Sequence, residues 1–234
     1  MQPRHPFTNS GMTSQTLVRK PSRVQFPFNV HIVSIASGRS HAIALDTAGR
    51  VWHWANCWQP RQVIVTKAST QKFVQITAHW NSSAILSAKG ELFLVPFPCA
   101  SHQQTIIEDS PVTCPTSLFV QIAGTEKCTI ALTQSGRVFK FRTEQRDDFI
   151  RMPEKYTTEL IHFNVSFSSA VVNNSNTFNH INKRKSTLLS AQFRHFAICT
   201  QGKVLMGQQD GDEQHVPQIL DVMNHDICKV AFGE

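Results

Sequence analysis

Apolar and polar residues alternate along four stretches of the chain, and each stretch breaks at a glycine in the same relative place. The first runs VSIASGRSHAIALDTAGRVWHW from Val33 to Trp54, the second VQITAHWNSSAILSAKGELFLV from Val74 to Val95, and the third VQIAGTEKCTIALTQSGRVFKF from Val120 to Phe141. A fourth, TLLSAQFRHFAICTQGKVLMG from Thr187 to Gly207, lacks one residue ahead of its glycine. A fifth opens at Cys228 and reaches Glu234. Alternation with period two predicts strands with one face in and one face out. Gly49, Gly90, Gly136 and Gly202 each sit in a short polar connection between two such runs, which predicts a hairpin with glycine at positive φ. Recurrence at about 41 to 46 residues across the first three stretches makes each stretch one copy of a structural unit.

Equivalent positions agree in chemistry. Ile35, Ile76, Ile122 and Leu189 mark the first strand of each unit, Leu45, Leu86, Leu132 and Ile198 the end of the second, and Val51, Leu92, Val138 and Val204 the third. Within the third strand, Val51 and His53 face one way and Trp52 and Trp54 the other, so both tryptophans are expected to pack between neighbouring units. A unit this small cannot bury its own apolar face and must stack on others. Radial stacking of such sheets makes a propeller. The expected fold is therefore all-β, an incomplete β-propeller of about four blades plus the start of a fifth. Blades are placed near 30–70, 71–115, 116–186 and 187–226, with a truncated repeat from 227. Residues 1–29 read as a disordered basic leader. The long insertion 142–186 interrupts blade three, and Glu159–Val172 alternates enough for one or two strands.

The pattern Ile-Ala-x-Gly-x-x-His, a small and apolar stretch to Leu, then Gly-x-Val-aromatic-x-Trp resembles the repeat of the regulator of chromosome condensation family. Ile35, Gly38, His41, Leu45, Gly49, Val51 and Trp54 carry it best. Gly207 with Gln208, Gly211 and Pro217 is similar to the outgoing loop of such a unit, and Val230 with Gly233 to the start of the next. The resemblance implies a seven-bladed ring. The segments VSIASGRSHAIALDTAGRVWHWANCWQP, NSSAIL and IALTQSGRVFKF further resemble the propeller of fungal F-box proteins that act as substrate receptors of an SCF ubiquitin ligase. That implies a protein substrate and ubiquitin-ligase subunits as partners. The founding family activity, guanine-nucleotide exchange on a Ran-like small GTPase, is the alternative. The motif histidine persists only as His41 and His195, and unit two has His79 where unit one has Gly38. Recurrence at one repeat position predicts that His41 and His195 bond backbone in a neighbouring unit.

Charge is uneven. Residues 1–107 hold ten Lys/Arg and two acids, Asp46 and Glu91, within a formal net charge of +7. An acidic partner surface is the functional reading of that excess; the lack of basic clusters interleaved with aromatics argues against nucleic acid. The six cysteines form no CxxC pair, and Cys128, Cys199 and Cys228 fall in strand-like segments, which favours a reduced, cytoplasmic or nuclear setting without secretion. No GxSxG elbow, HExxH, P-loop or GxGxxG after a strand is present, so no catalytic residue, cofactor or metal is expected. Partner binding is expected on loops. Trp58 and Arg61 in one connector and Trp80 in the first loop of unit two are the candidate anchors, and Gly38, His41, Gly49, Gly90, Gly136, His195, Gly202 and Gly207 the structural repeat positions.

Overall fold

Strands form wherever the alternation places them. The computed structural model describes residues 23–27, 29–55, 59–98, 104–112, 114, 117–144, 146–166, 187–200, 202–222, 227 and 230–232. Blade one holds β1 (Ile32–Ser37), β2 (Ala42–Asp46), β3 (Val51–Trp54) and β4 (Arg61–Val65); blade two holds β5 (Phe73–Ala78), β6 (Ser83–Ser87) and β7 (Leu92–Val95). After β8 (Thr105–Ile107), blade three holds β9 (Phe119–Gly124), β10 (Cys128–Thr133), β11 (Val138–Arg142) and β12 (Thr157–Glu159). Blade four holds β13 (Leu188–Gln192), β14 (His195–Thr200), β15 (Lys203–Gln208) and β16 (Gln218–Asp221). Within each blade, consecutive strands pair antiparallel in sequence order. This is a partial propeller.

Gly49, Gly90, Gly136 and Gly202 close the β2–β3 type hairpins at φ of 80°, 76°, 86° and 78°. A side chain is rarely tolerated there, which explains why all four units keep glycine. The blades stack by alternate faces. Ile43, Leu45 and Val51 of blade one pack against Ile76, Ile85, Phe93 and Val95 of blade two. Leu86, Leu92 and Leu94 then meet Phe119, Ala131, Phe139 and Phe141 of blade three, and Ile130, Leu132 and Val138 meet Phe196, Ile198 and Leu205 of blade four.

Amide clamps join the first strands of successive blades. The Gln75 side chain donates to Ile122 O at 2.7 Å and accepts from Ile122 N at 2.9 Å. Gln121 repeats this one blade on, donating to Thr187 O at 2.6 Å and accepting from Leu189 N at 2.9 Å. Unit one carries Ser34 at that register, too short to reach.

Four expectations need correction. Residues 105–107, assigned to blade two by position, pair in parallel with β4 and give blade one a fifth strand. Among the described residues blade two has three strands, with a bridge from Leu92 to Val112 beside them. The insertion after residue 142 is ordered at its start: α1 (Arg146–Arg151) buries Phe149 against the blade-two and blade-three core, and β12 completes blade three. The strand predicted over 159–172 instead ends at Glu159 and passes into a single helical turn over Ile161–Phe163; residues 167–172 lie outside the described ones.

The third correction concerns register. Cys199, not Ile198, is opposite Val204, as Leu45 is opposite Val51. The residue missing from unit four lies beyond the strand, and a slip of one position turns a side chain to the opposite face. Ile198 therefore faces blade three and Cys199 faces away from it.

Last, Trp52 and Trp54 are buried, but not by another blade. Val24, Phe26, Val30 and Ile32 cover them, with the Phe26 ring edge-on to Trp52 at 6.2 Å and to Trp54 at 5.6 Å. Packing thus starts before residue 29, within the segment read as a disordered leader. The outer face of blade four, Ala197, Cys199 and Val204, is covered in the same manner by Val222, Ile227, Val230 and Phe232. The two outermost described blades thus have their apolar outer faces shielded.

Candidate functional site

Each blade has two ends: one where its glycine hairpin turns, and one where its first strand turns into its second. At the second end, loop tips from all four blades form a rank. Arg39 N donates to Trp80 O at 3.2 Å, Trp80 N to Glu126 O at 2.8 Å, and Glu126 N to Phe193 O at 2.7 Å. These four residues are equivalent positions of the repeat, so one backbone hydrogen bond is handed from blade to blade. At about 1 kcal/mol net each, such bonds add little stability, but they fix the spacing of the tips.

The side chains on that rank are the kind that anchor partners. The Arg39 guanidinium lies over the Trp80 ring at 4.7 Å from its centroid. Phe193 is 58% exposed and sits at φ 57° in a two-residue hairpin. Arg194 pairs with Glu126 at 3.7 Å. Outward from Trp80 opens a cleft of about 560 Å³ between blades two and three, with Asn81, Phe97, Glu144, Arg146, Asp148 and Arg151 among its walls. Arg146 is tied down by Asp109 and Asp147.

Of the three candidate anchors, Trp80 stands on the rank, half-buried under Arg39. Arg61 begins β4, opposite His53 in the outer part of blade one, so it opens toward the same end at a larger radius. The structure pairs Trp80 with Arg39 rather than with Arg61. Trp58 lies outside the described residues. Arg39 and Phe193 were missed from sequence because neither repeats in chemistry; their shared repeat position with Trp80 was the available signal.

Beneath the rank lies a histidine network. His41 Nε2 is 3.1 Å from Ser82 O and 2.9 Å from Ser83 Oγ. A carbonyl can only accept, so the proton sits on Nε2, and the buried Nδ1 has no hydrogen bond. His79 links Ser82 Oγ at 3.1 Å to Thr129 Oγ1 at 2.8 Å, joining blade two to blade three. Burial lowers the pKa of all three core histidines: His41 downward, His53 to about 4 with His41 and Arg61 adding repulsion, and His79 to about 3 with His41 adding repulsion. They are neutral structural ties. His41 therefore reaches the neighbouring blade as expected. His195 has no such bond among the described residues; its exposed ring stacks on Phe232 at 6.2 Å.

Gly38 and Gly207 are repeat positions for reasons of space. A β-carbon on Gly38 would come within 2.3 Å of His79 O, and one on Gly207 within 2.4 Å of the Phe196 ring. Cys128 and Cys199 are buried free thiols, and burial pushes Cys128 up to about 11, which leaves it unreactive. Buried Lys140 donates to Gln209 O at 3.1 Å and to Gly211 O, holding the outgoing loop of blade four, and burial lowers its pKa. No cluster of three metal-ligating side chains occurs among the described residues.

Residues 32–54, spanning β1 through β3, match the model of the regulator of chromosome condensation (RCC1) repeat. That match covers the first three strands of blade one. Among solved structures, human WBSCR16 aligns at 14% identity with a TM-score of 0.52, over 86% of this chain and 56% of that one. Yeast RCC1 (Prp20), solved with Kap60 bound to it, aligns at 15% identity and TM-score 0.49, over 86% and 50%. The structure of Prp20p from Saccharomyces cerevisiae, described with its binding to Gsp1p and histones, aligns at 16% and 0.48, over 87% and 53%. The likeness to WBSCR16 is one of fold alone, and this chain spans about half the length of that protein. No curated protein matches the chain.

Proposed function

We propose that this RCC1-type partial propeller is a non-catalytic interaction module that grips a protein on the end bearing Arg39, Trp80 and Phe193. It does so as the substrate-recognition part of an SCF-type ubiquitin ligase in the cytoplasm or nucleus. The observation that carries the reading is the rank of loop tips. It displays tryptophan, arginine and phenylalanine on a backbone held rigid across blades, and interface energy concentrates in such anchors. The ligase part is supported by the resemblance of the segments from Val33 to Pro60 and from Ile130 to Phe141 to propellers of fungal F-box proteins.

The test is affinity purification of the full chain from its host alongside Trp80→Ala and Arg39→Ala. The expected result is co-purification of cullin-type and adaptor subunits with both variants, together with a ubiquitylated protein that is lost from each. Retention of every partner by both variants would overturn the binding face. Absence of ligase subunits from all three preparations would remove the ligase role while leaving the face intact. Accelerated nucleotide release from a co-purified small GTPase would replace the reading with the exchange activity.

A further inference from the structure

The first strands of the blades lie side by side along the inner edge of the stack, β1 beside β5, β5 beside β9 and β9 beside β13. Three of them carry the same irregularity. The pairing of β1 with β2 skips Val33, that of β5 with β6 skips Val74, and that of β9 with β10 skips Val120. Each is a β-bulge, a device that re-aims a side chain and is frequent next to functional sites. Blade four pairs without a skip from Leu188 onward. The three bulged valines are 60%, 50% and 42% exposed, so the repeat sets a row of β-branched side chains out on the inner wall. Ile35, with no described blade before it, is exposed as well, whereas its equivalents Ile76 and Ile122 are buried against the preceding blade.

Beside this row runs the series of amide clamps, and it is one member short. Ile122 N and O turn toward blade two, where Gln75 takes both. Leu189 N is taken by Gln121 in the same way. Ile76 stands at the same register, opposite Ile85 as Ile122 is opposite Ala131, so its N–H and C=O turn toward blade one. Ser34 is the residue that meets them there. It is exposed, and no described side chain bonds the Ile76 backbone. A donor and an acceptor side by side are what a carboxamide matches, its NH2 given to the carbonyl and its oxygen accepting the amide proton. A carboxylate lacks the donor and an ammonium the acceptor. An unmet backbone pair on a buried residue costs free energy that a matching ligand recovers.

We infer that the inner wall of blades one and two binds an extended peptide segment of a partner protein. A glutamine or asparagine side chain of that segment fills the clamp at Ile76, while its apolar neighbours rest on Val33, Ile35 and Val74. The chain itself supplies the pattern of the occupant: in β5 and β9, Gln75 and Gln121 each stand between two apolar residues in extended backbone. The site lies on the strands that lead to Arg39 and Trp80 but uses neither, so it does not depend on the partner face proposed above.

Fluorescence anisotropy of a labelled Gly-Ser-Val-Gln-Val-Ser-Gly peptide against the full chain tests this, with the Ile76 amide followed by nuclear magnetic resonance. The peptide should bind and shift that amide. Replacing its glutamine by glutamate or leucine should weaken binding by about tenfold or more. Ser34→Gln fills the clamp from within; it should abolish peptide binding and raise the thermal unfolding midpoint. Ser34→Ala fills nothing and should bind as the parent does, as should Trp80→Ala. Equal binding of the glutamine and glutamate peptides would overturn the carboxamide, and unchanged binding by a folded Ser34→Gln would overturn the location. A peptide that binds the parent without moving the Ile76 amide would overturn the location too, with no variant needed. Absence of binding would overturn the site and leave water as its occupant. Circular dichroism of each variant excludes unfolding as the cause.

Discussion

Lowering the pH should loosen this fold well before its carboxylates titrate. Among the described residues His53 and His79 are buried without a carboxylate partner, and their folded pKa values fall to about 4 and about 3, chiefly through desolvation. In the unfolded chain each returns to an ordinary value of about 6.5. The unfolded state therefore binds protons first as pH falls. The stability these neutral histidines contribute is complete above about pH 6.5 and is lost progressively below it, down to their folded pKa values. At about pH 5 the linkage relation gives a loss of about 2 kcal/mol for each, or about 4 kcal/mol together. That is a large part of the roughly 5–15 kcal/mol typical of a domain. Asp46 and Glu159, both held below their ordinary values, lose their contributions at lower pH and do not confound this window. Urea unfolding at constant ionic strength, followed by tryptophan fluorescence, measures the effect. A His53→Gln, His79→Gln variant should start less stable at neutral pH and lose distinctly less than the parent on acidification, the remainder coming from His41. A parent curve flat between about pH 7 and about pH 5 would refute the account, as would an equally steep loss in the variant.

Four further outcomes follow from particular contacts. Gly136→Val should destabilise blade three by more than about 2 kcal/mol because φ is 86°, whereas Gly136→Asn should lose less; denaturation midpoints compare them. Gln121→Leu strips the amide clamp from Thr187 O and Leu189 N and should lower stability by about 2–4 kcal/mol, read by thermal unfolding. Phe26→Ala should expose Trp52 and Trp54, seen as a red shift of emission with a loss of about 1–3 kcal/mol. Trp80→Ala should leave the melting temperature nearly unchanged, while Trp52→Ala lowers stability by roughly 3–5 kcal/mol.

Most of the blade architecture was legible because it is local. Period-two alternation and the four glycines locate β1–β3, β5–β7, β9–β11 and β13–β15, and each glycine has the positive φ its hairpin demands. What escaped was non-local. Nothing in Thr105–Ile107 says that it pairs with β4 rather than β7, since so short a run fits either edge. Ile198 was misassigned because a deletion counted from the glycine shifts the register by one, and only pairing reveals where the gap lies. The blade-to-blade roles of Gln75 and Gln121 were hidden because a polar residue on an alternating strand reads as solvent-facing. The loop rank was legible only at Trp80, the one conspicuous side chain among its four positions.

The parallel strand β8 has a consequence for how the chain is made. Blade one cannot complete its sheet until residues beyond the third strand of blade two have left the ribosome and crossed back. Synthesis from the N-terminus would otherwise let each blade close in turn. Here the first two must finish as a single event, with β4 waiting as an open edge in the interval. A nascent chain paused between residues 65 and 105 should therefore be the most chaperone-dependent stage in the life of this protein.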